Sequence, residues 1–313
     1  MGGRRVDIGS WQPTVYRGNI AGNRLVIVPL RGPDEEENKM EPKELVIECR
    51  RSLKLVDWTE LVEYRDLFSF MVRRNIKTRY AQSALGVGWA LIQPLFSMLV
   101  FTVIFGRVAK VDSNGVPYSV FSFAALVPWT YFANAVTEGC ASLVTNAQML
   151  SKVYFPRVVL PFAAVVARTL DFAISLFFLL VIMLSFRIVP NWNAIALPLL
   201  VVILILSASG LGLWLTALAI QYRDVNYAMT FTVQLLMYAA PVVYPTTLIP
   251  ARLQLWYAIN PMVGVIEGFR AALLGTIPMP WQWIGIGAVS AMILSSTGLV
   301  YFRSRERIFA DVA

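Results

Sequence analysis

The chain has 313 residues, 57% of them hydrophobic and 15% charged, with 27 basic against 19 acidic residues, two cysteines and no histidine. Its apolar residues gather in blocks near the ~20-residue length that crosses a bilayer, too much apolar surface for water to cover, which excludes a soluble globular protein. The formal charge of +8 flanks those blocks, where basic side chains meet anionic membrane lipid, so it reports topology and argues against a nucleic-acid partner.

In chain order, residues 1–52 form a cytoplasmic extension with Arg4, Arg5, an acidic run at 34–37, no signal peptide and no long apolar block. Residues 25–28 have the composition of a short strand, but the run is isolated, so a flexible arm is expected. The remainder, 53–313, is expected to be one transmembrane domain. Residues 57–80 repeat at helical period, with Leu61, Tyr64, Leu67, Phe68, Met71 and Val72 on one side and Arg73, Arg74 and Lys77 elsewhere. That predicts an amphipathic interface helix, capped by Asp57 or Thr59, with its basic end on the membrane surface.

Six apolar blocks follow, at 85–105, 121–143, 158–186, 194–220, 227–244 and 281–302. The expected fold is therefore an all-α integral membrane protein of six transmembrane helices. An even number of spans puts both termini on one side, and the excess of Arg and Lys in the connections on that side makes it cytoplasmic, with 303–313 as a tail. Residues 245–280 are too apolar for a free loop and break at Asn260-Pro261, so they read as two short re-entrant helices before the last span, or as a hairpin flat on the outer surface. Glu267 and Arg270, three apart, are placed to pair. Within the third block Arg168 and Asp171 have the same spacing, as a structural pair or as part of a proton relay.

Aromatic residues recur at block ends as a headgroup-level belt. Trp129, Tyr131, Phe132 and Tyr238 are also suited to line a sugar conduit, since flat rings stack on pyranose faces. Small residues, among them Gly210, Gly212, Gly285, Gly287 and Ser295, permit close helix approach in a packed bundle or a dimer. No imidazole, phosphate-binding loop, nucleophile elbow or Cys-x-x-Cys pair is present, and Asp112, Glu138 and Glu267 are scattered. No cofactor or metal is expected on this chain, so uphill movement would need a partner pressing on its cytoplasmic side. The best handle for such a partner is the polar interruption at 146–157. A helix over 147–153, capped by Asn146 and stopped at Phe155-Pro156, would pass a push into the third span.

The runs at 126–132, 146–161 and 222–225, with Asn260-Pro261-Met262 and Gly268-Phe269-Arg270 after them, resemble the permease subunit of ABC-2 type polysaccharide exporters. Arg79-Tyr80, Leu85-Gly86, Trp89 and Gln93-Pro94 match as well, so the resemblance extends from about residue 58 to the end. It implies a non-enzymatic homodimer in the bacterial cytoplasmic membrane, working with two copies of a separate ATPase that uses ATP and Mg. Asn146, Gln148, Met149, Lys152, Tyr154, Phe155, Pro156 and Arg157 would then form the coupling segment docked on the ATPase. Tyr64, Phe68, Arg73 and Arg74 on the interface helix would flank it, and Asn260, Pro261, Glu267 and Arg270 would belong to an outer gate. The implied substrate is a lipid-linked glycan such as O-antigen, capsule or teichoic acid. An ABC-2 drug or lipid exporter, and a membrane enzyme or scaffold acting on lipid-linked sugar, are the alternatives. The first 50 residues or so depart from the family pattern and leave room for a further partner.

Overall fold

The computed structural model describes residues 16–21, 24–29, 45–48, 62–81, 83, 85–150, 152, 155–222 and 224–306. The chain divides into two compact units, 1–54 and 55–313. In the first, β1 (Tyr16–Ala21), β2 (Arg24–Pro29) and β3 (Leu45–Glu48) form an antiparallel sheet in that order. Asn19 pairs with Val26, and Val26 with Val46. The short strand that the composition of 25–28 allowed is thus present and paired, outside the helical unit that was expected to carry the membrane spans. The 25–28 run lies in β2, whose partners were hard to read because β1 carries Arg17, Gly18 and Asn19 in place of an apolar alternation. Gly22-Asn23 between β1 and β2 is a pair favoured in two-residue hairpin connections.

The second unit is helical. Its first described helix, α1 (Arg65–Tyr80), buries Met71 and packs Tyr64, Leu67, Phe68 and Val72 against the bundle, while Arg73 is exposed. The amphipathic reading holds there, although the caps expected at Asp57 and Thr59 lie outside the described residues. Next come α2 (Trp89–Phe101), entered by a 3-10 turn at Gly86–Gly88 and prolonged by wider turns over Thr102–Val108, then α3 (Tyr118–Thr145) and the single turn α4 (Ala147–Leu150). The third block is two helices, α5 (Val159–Ala167) and α6 (Thr169–Ser185), meeting at Arg168. The chain continues through α7 (Leu197–Gln221), α8 (Asp224–Tyr238), α9 (Ala251–Tyr257), α10 (Pro261–Leu274) and α11 (Trp281–Arg305).

Among the described residues five helical stretches are long and apolar enough to cross a membrane: Gly86–Val108, Tyr118–Thr145, Val159–Ser185, Trp192–Gln221 and Trp281–Arg305. The expected span at 227–244 departs from its block. Its helix α8 has 15 residues, about 22 Å, against a hydrocarbon core of about 30 Å. Asn226, Thr230, Thr232 and Gln234 dilute its apolar character, and the chain turns at Ala239.

The core gathers around α3 and α7, with α10 inserted beside them and against α11. Every residue of α10 from Met262 to Leu274 is buried, whereas α9 has none buried. Helices α7 and α11 meet through small residues. A Cβ added to Gly210 would stand 2.6 Å from the Ser295 nitrogen, and one on Gly298 would stand 2.6 Å from the Gly210 carbonyl. Ser295 adds a hydrogen bond from its hydroxyl to the Leu206 carbonyl at 2.7 Å. Thus Gly210 and Ser295 serve packing within one chain, whereas added Cβ atoms on Gly212 and Gly285 would meet nothing within 4 Å. Gly210→Leu should lower stability by at least about 1–3 kcal/mol through overpacking against backbone. Gly212→Ala should cost nothing and gain helix propensity; thermal unfolding of the two variants in detergent checks the contrast.

Candidate functional site

Four features place the residues singled out in the sequence. The first is the segment after α3. Asn146 ends α3, donating its side-chain amide to the Ser142 carbonyl at 2.7 Å and accepting a hydrogen bond from Arg74 of α1. Arg74 also points an N–H at the Met149 sulfur, 3.9 Å away. The side chain of Asn146 is therefore committed to α1 and α3, and of the helix expected over 147–153 the described part is Ala147–Leu150. Ser151, Val153 and Tyr154 lie outside the described residues. Phe155, 4% exposed, is clustered with Met71, Leu143, Val159, Leu213 and Phe302, and Pro156 is buried beside it. Arg157 donates to the Glu306 carbonyl at the end of α11. The segment thus has an anchor (Phe155, Pro156, Arg157) and an outward side carrying Gln148 and Lys152.

The second feature is a ring of four charges that sequence reading captured only in half. Arg168 pairs with Asp171 at 2.9 Å, as its spacing predicts, and also with Glu138 of α3. Arg79, at the end of α1, reaches Glu138 at 2.6 Å and Asp171 at 3.0 Å, closing the ring with alternating signs. Glu138 is not scattered after all, since it joins α3 to α1 and to the break between α5 and α6. The Tyr80 hydroxyl donates to the second oxygen of Asp171. Burial, reinforced by that bond, pushes the Tyr80 phenol up to about 12, so it stays a proton donor throughout the physiological range.

Third, a polar groove runs along α3 between α2 and α8. A cavity of about 280 Å³ there is lined by Gln93, Ser97, Trp129, Thr130, Asn134 and Gln234, among others. Of the four aromatic residues assigned to a conduit, Trp129 borders this groove and Tyr131 borders a neighbouring cavity. The Tyr131 hydroxyl donates to the Val165 carbonyl at 3.2 Å. Phe132 is in the interior with its ring 5.6 Å from that of Trp129, while Tyr238 is exposed on α8.

The fourth is a buried staple under α10. Asn260 caps this helix by accepting from the Met262 N–H at 3.1 Å and donates to the Ala239 carbonyl, with Pro261 at the first helical position. Glu267 and Arg270 pair at 2.8 Å, both 1% exposed. Arg270 further donates to the carbonyls of Val242, Tyr244 and Phe121 and lies 3.6 Å from the centre of the Phe121 ring. The i,i+3 spacing foretold the pair; nothing in the spacing pointed to the three carbonyls. Among the described residues no group of three His, Cys, Asp or Glu side chains gathers that could hold a metal ion.

Five membrane-length helices, with a buried short helix before the last of them, define a multi-pass membrane protein. The chain belongs to the ABC-2 type transporter family, whose profile matches residues 66–274, from α1 to the end of α10. It is 31% identical to the O-antigen export system permease protein RfbA of Myxococcus xanthus, over 80% of this chain and 97% of that protein. Identity to RfbA of Klebsiella pneumoniae is 27%, over 79% and 95%. To the polysialic acid transport protein KpsM of Escherichia coli it is 22%, over 74% and 91%.

Proposed function

We propose that this chain is the membrane subunit of an ATP-driven exporter that moves a lipid-linked polysaccharide across the bacterial cytoplasmic membrane. The observation that carries the reading is its match along nearly the whole length of relatives named for O-antigen export. The amide and hydroxyl side chains in the groove, Gln93, Ser97, Thr130, Asn134 and Gln234 among them, support a glycan over an apolar drug, whose pockets are lined mainly by hydrophobic side chains. Two copies of the chain would work with two copies of a separate ATPase, which binds ATP and Mg; this chain binds neither. Both termini would be cytoplasmic, with α8 and the following turn making the sixth crossing, and α9 and α10 entering and leaving the outer leaflet.

The ATPase would dock on the outward side of the 146–157 segment, and the buried Phe155 would carry its movement into α5. Lys152→Glu, at an exposed position, should cut recovery of the ATPase with the permease at least about tenfold, the equivalent of ~1.4 kcal/mol, and leave thermal stability unchanged. Phe155→Ala should instead destabilise the bundle by about 3–5 kcal/mol as a core truncation. If the wild type, stable and inserted, brings down no nucleotide-binding partner and its deletion leaves surface glycan intact, the proposal fails.

A further inference from the structure

A cavity of about 440 Å³ opens between α1, α3 and α5, where one membrane-length helix ends at Thr145 and the next begins at Val159. We propose that it binds the headgroup of an anionic membrane phospholipid of the phosphoglycerol type, with Arg74 holding the phosphate. The inference goes beyond the export reading and takes from it only the placing of α1 at the cytoplasmic surface of the membrane.

The basic end of α1 carries Arg73, Arg74 and Lys77. Arg73 and Lys77 are exposed, whereas Arg74 is half-buried and lines the cavity. Among the described residues the carboxylates that pair with a base are those of Asp66, Glu138, Asp171 and Glu267, and Arg74 reaches none of them. It donates to the Asn146 side-chain oxygen and toward the Met149 sulfur, both uncharged, and a guanidinium has five N–H groups to give. Arg79 and Glu138 also line the cavity, but they belong to the ring of two arginines and two carboxylates, in which each Glu138 oxygen already has its guanidinium. Among the described residues Arg74 is therefore the uncompensated charge at this cavity, a partly desolvated cation with donors to spare. A phosphate group answers both its charge and its geometry.

The uncharged groups narrow the ligand. Thr78 and Thr145 give their hydroxyl protons to carbonyls one turn back, those of Arg74 at 2.8 Å and Ala141 at 2.9 Å, so their oxygens are left as acceptors. A phosphodiester only accepts and meets Arg74, while the hydroxyls of a glycerol headgroup donate and meet the threonine oxygens. Choline has no O–H or N–H to give, and ethanolamine would bring a second cation to a cavity whose surplus is already positive. Leu160 and Ala164 line the cavity from α5 and offer apolar surface that an ester-linked lipid can use and inorganic phosphate cannot. Thr145 and Leu160 stand at the ends of their membrane-length helices, the depth of lipid phosphate, where basic pockets between helices take anionic headgroups. The guanidinium assigned to the phosphate also holds Asn146 and Met149, so lipid occupancy bears directly on the segment proposed to dock the ATPase.

The test follows the thermal transition of the full-length chain in neutral detergent as short-chain phosphatidylglycerol is titrated in, with short-chain phosphatidylethanolamine, phosphatidylcholine and inorganic phosphate as comparisons. The wild type should show a saturable rise in midpoint with phosphatidylglycerol and none with the other three. Arg74→Gln should need at least about tenfold more lipid for half the effect, as for loss of a charge-assisted pair. Thr78→Glu should lose as much without touching the contact to Asn146, because it sets a carboxylate at an exposed position one turn from Arg74, where it can pair with the guanidinium. Lys77→Gln, which removes an exposed charge outside the cavity lining, should respond as the wild type does. A wild-type response in both Arg74→Gln and Thr78→Glu, an equal loss in Lys77→Gln, or a rise of the same size with any of the three comparison compounds overturns the site. A chain that recovers its ATPase yet ignores phosphatidylglycerol refutes the site alone; one that binds the lipid through Arg74 and has no ATPase partner refutes the export reading alone.

Discussion

Arg270→Met is expected to be the most damaging single substitution in the molecule. It strands the Glu267 carboxylate at 1% exposure and removes the donor from the carbonyls of Val242, Tyr244 and Phe121. Breaking a buried pair by deleting one partner costs about 3–5 kcal/mol, before the unmet carbonyls are counted. Since folded domains hold only about 5–15 kcal/mol in reserve, the variant should insert poorly and lose its thermal transition in detergent. Arg270→Lys should recover little, because one ammonium cannot fork to a carboxylate and to carbonyls on two other segments. Adding Glu267→Gln to Arg270→Met should restore part of the loss by removing the stranded charge. A double variant as unstable as the sum of its parts would show that the pair contributes through packing alone.

Arg168→Met should have the second largest effect, from the same physics in a wetter place. It leaves Glu138 and Asp171 sharing Arg79 as their one remaining ring partner, an excess of one negative charge where α1, α3 and the α5–α6 break converge. The side chains of the ring are 12–33% exposed, so the cost should be discounted to about 2–3 kcal/mol. Adding Asp171→Asn removes the excess charge, keeps an acceptor for Tyr80 and preserves the Arg79–Glu138 pair. The double variant should therefore be more stable than Arg168→Met alone, and transition midpoints of the three proteins decide the matter. An unchanged midpoint for Arg168→Met would mean that the ring is fully hydrated and structurally idle.

Much of this was legible beforehand because it depends on short-range pattern. Five membrane-length helices follow from apolar runs of the right extent, since lipid forces each backbone to satisfy its own hydrogen bonds. The two i,i+3 ion pairs follow from helical rise, which sets residues three apart on one face. The amphipathic face of α1 around Met71 and the close approach at Gly210 are likewise properties of one helix surface read from its residues. The strand pairing in residues 16–48 was not legible, because β2 finds partners through register with segments that carry little apolar alternation.

What the sequence by itself determined is the solvent, the helices and the family: the apolar blocks demand lipid, and ordered local motifs identify an ABC-2 type chain. What only the tertiary structure decided is the company each polar residue keeps. Arg79 and Glu138, 59 positions apart, meet beside Arg168. Asn146 turns back to Arg74, Phe155 is drawn inward as an anchor, and Arg270 finds carbonyls contributed by two distant segments. Periodicity orients a side chain only on its own helix. Which charge or carbonyl waits opposite depends on how helices far apart in the chain are packed, and in a membrane each buried polar group must find that partner within the protein.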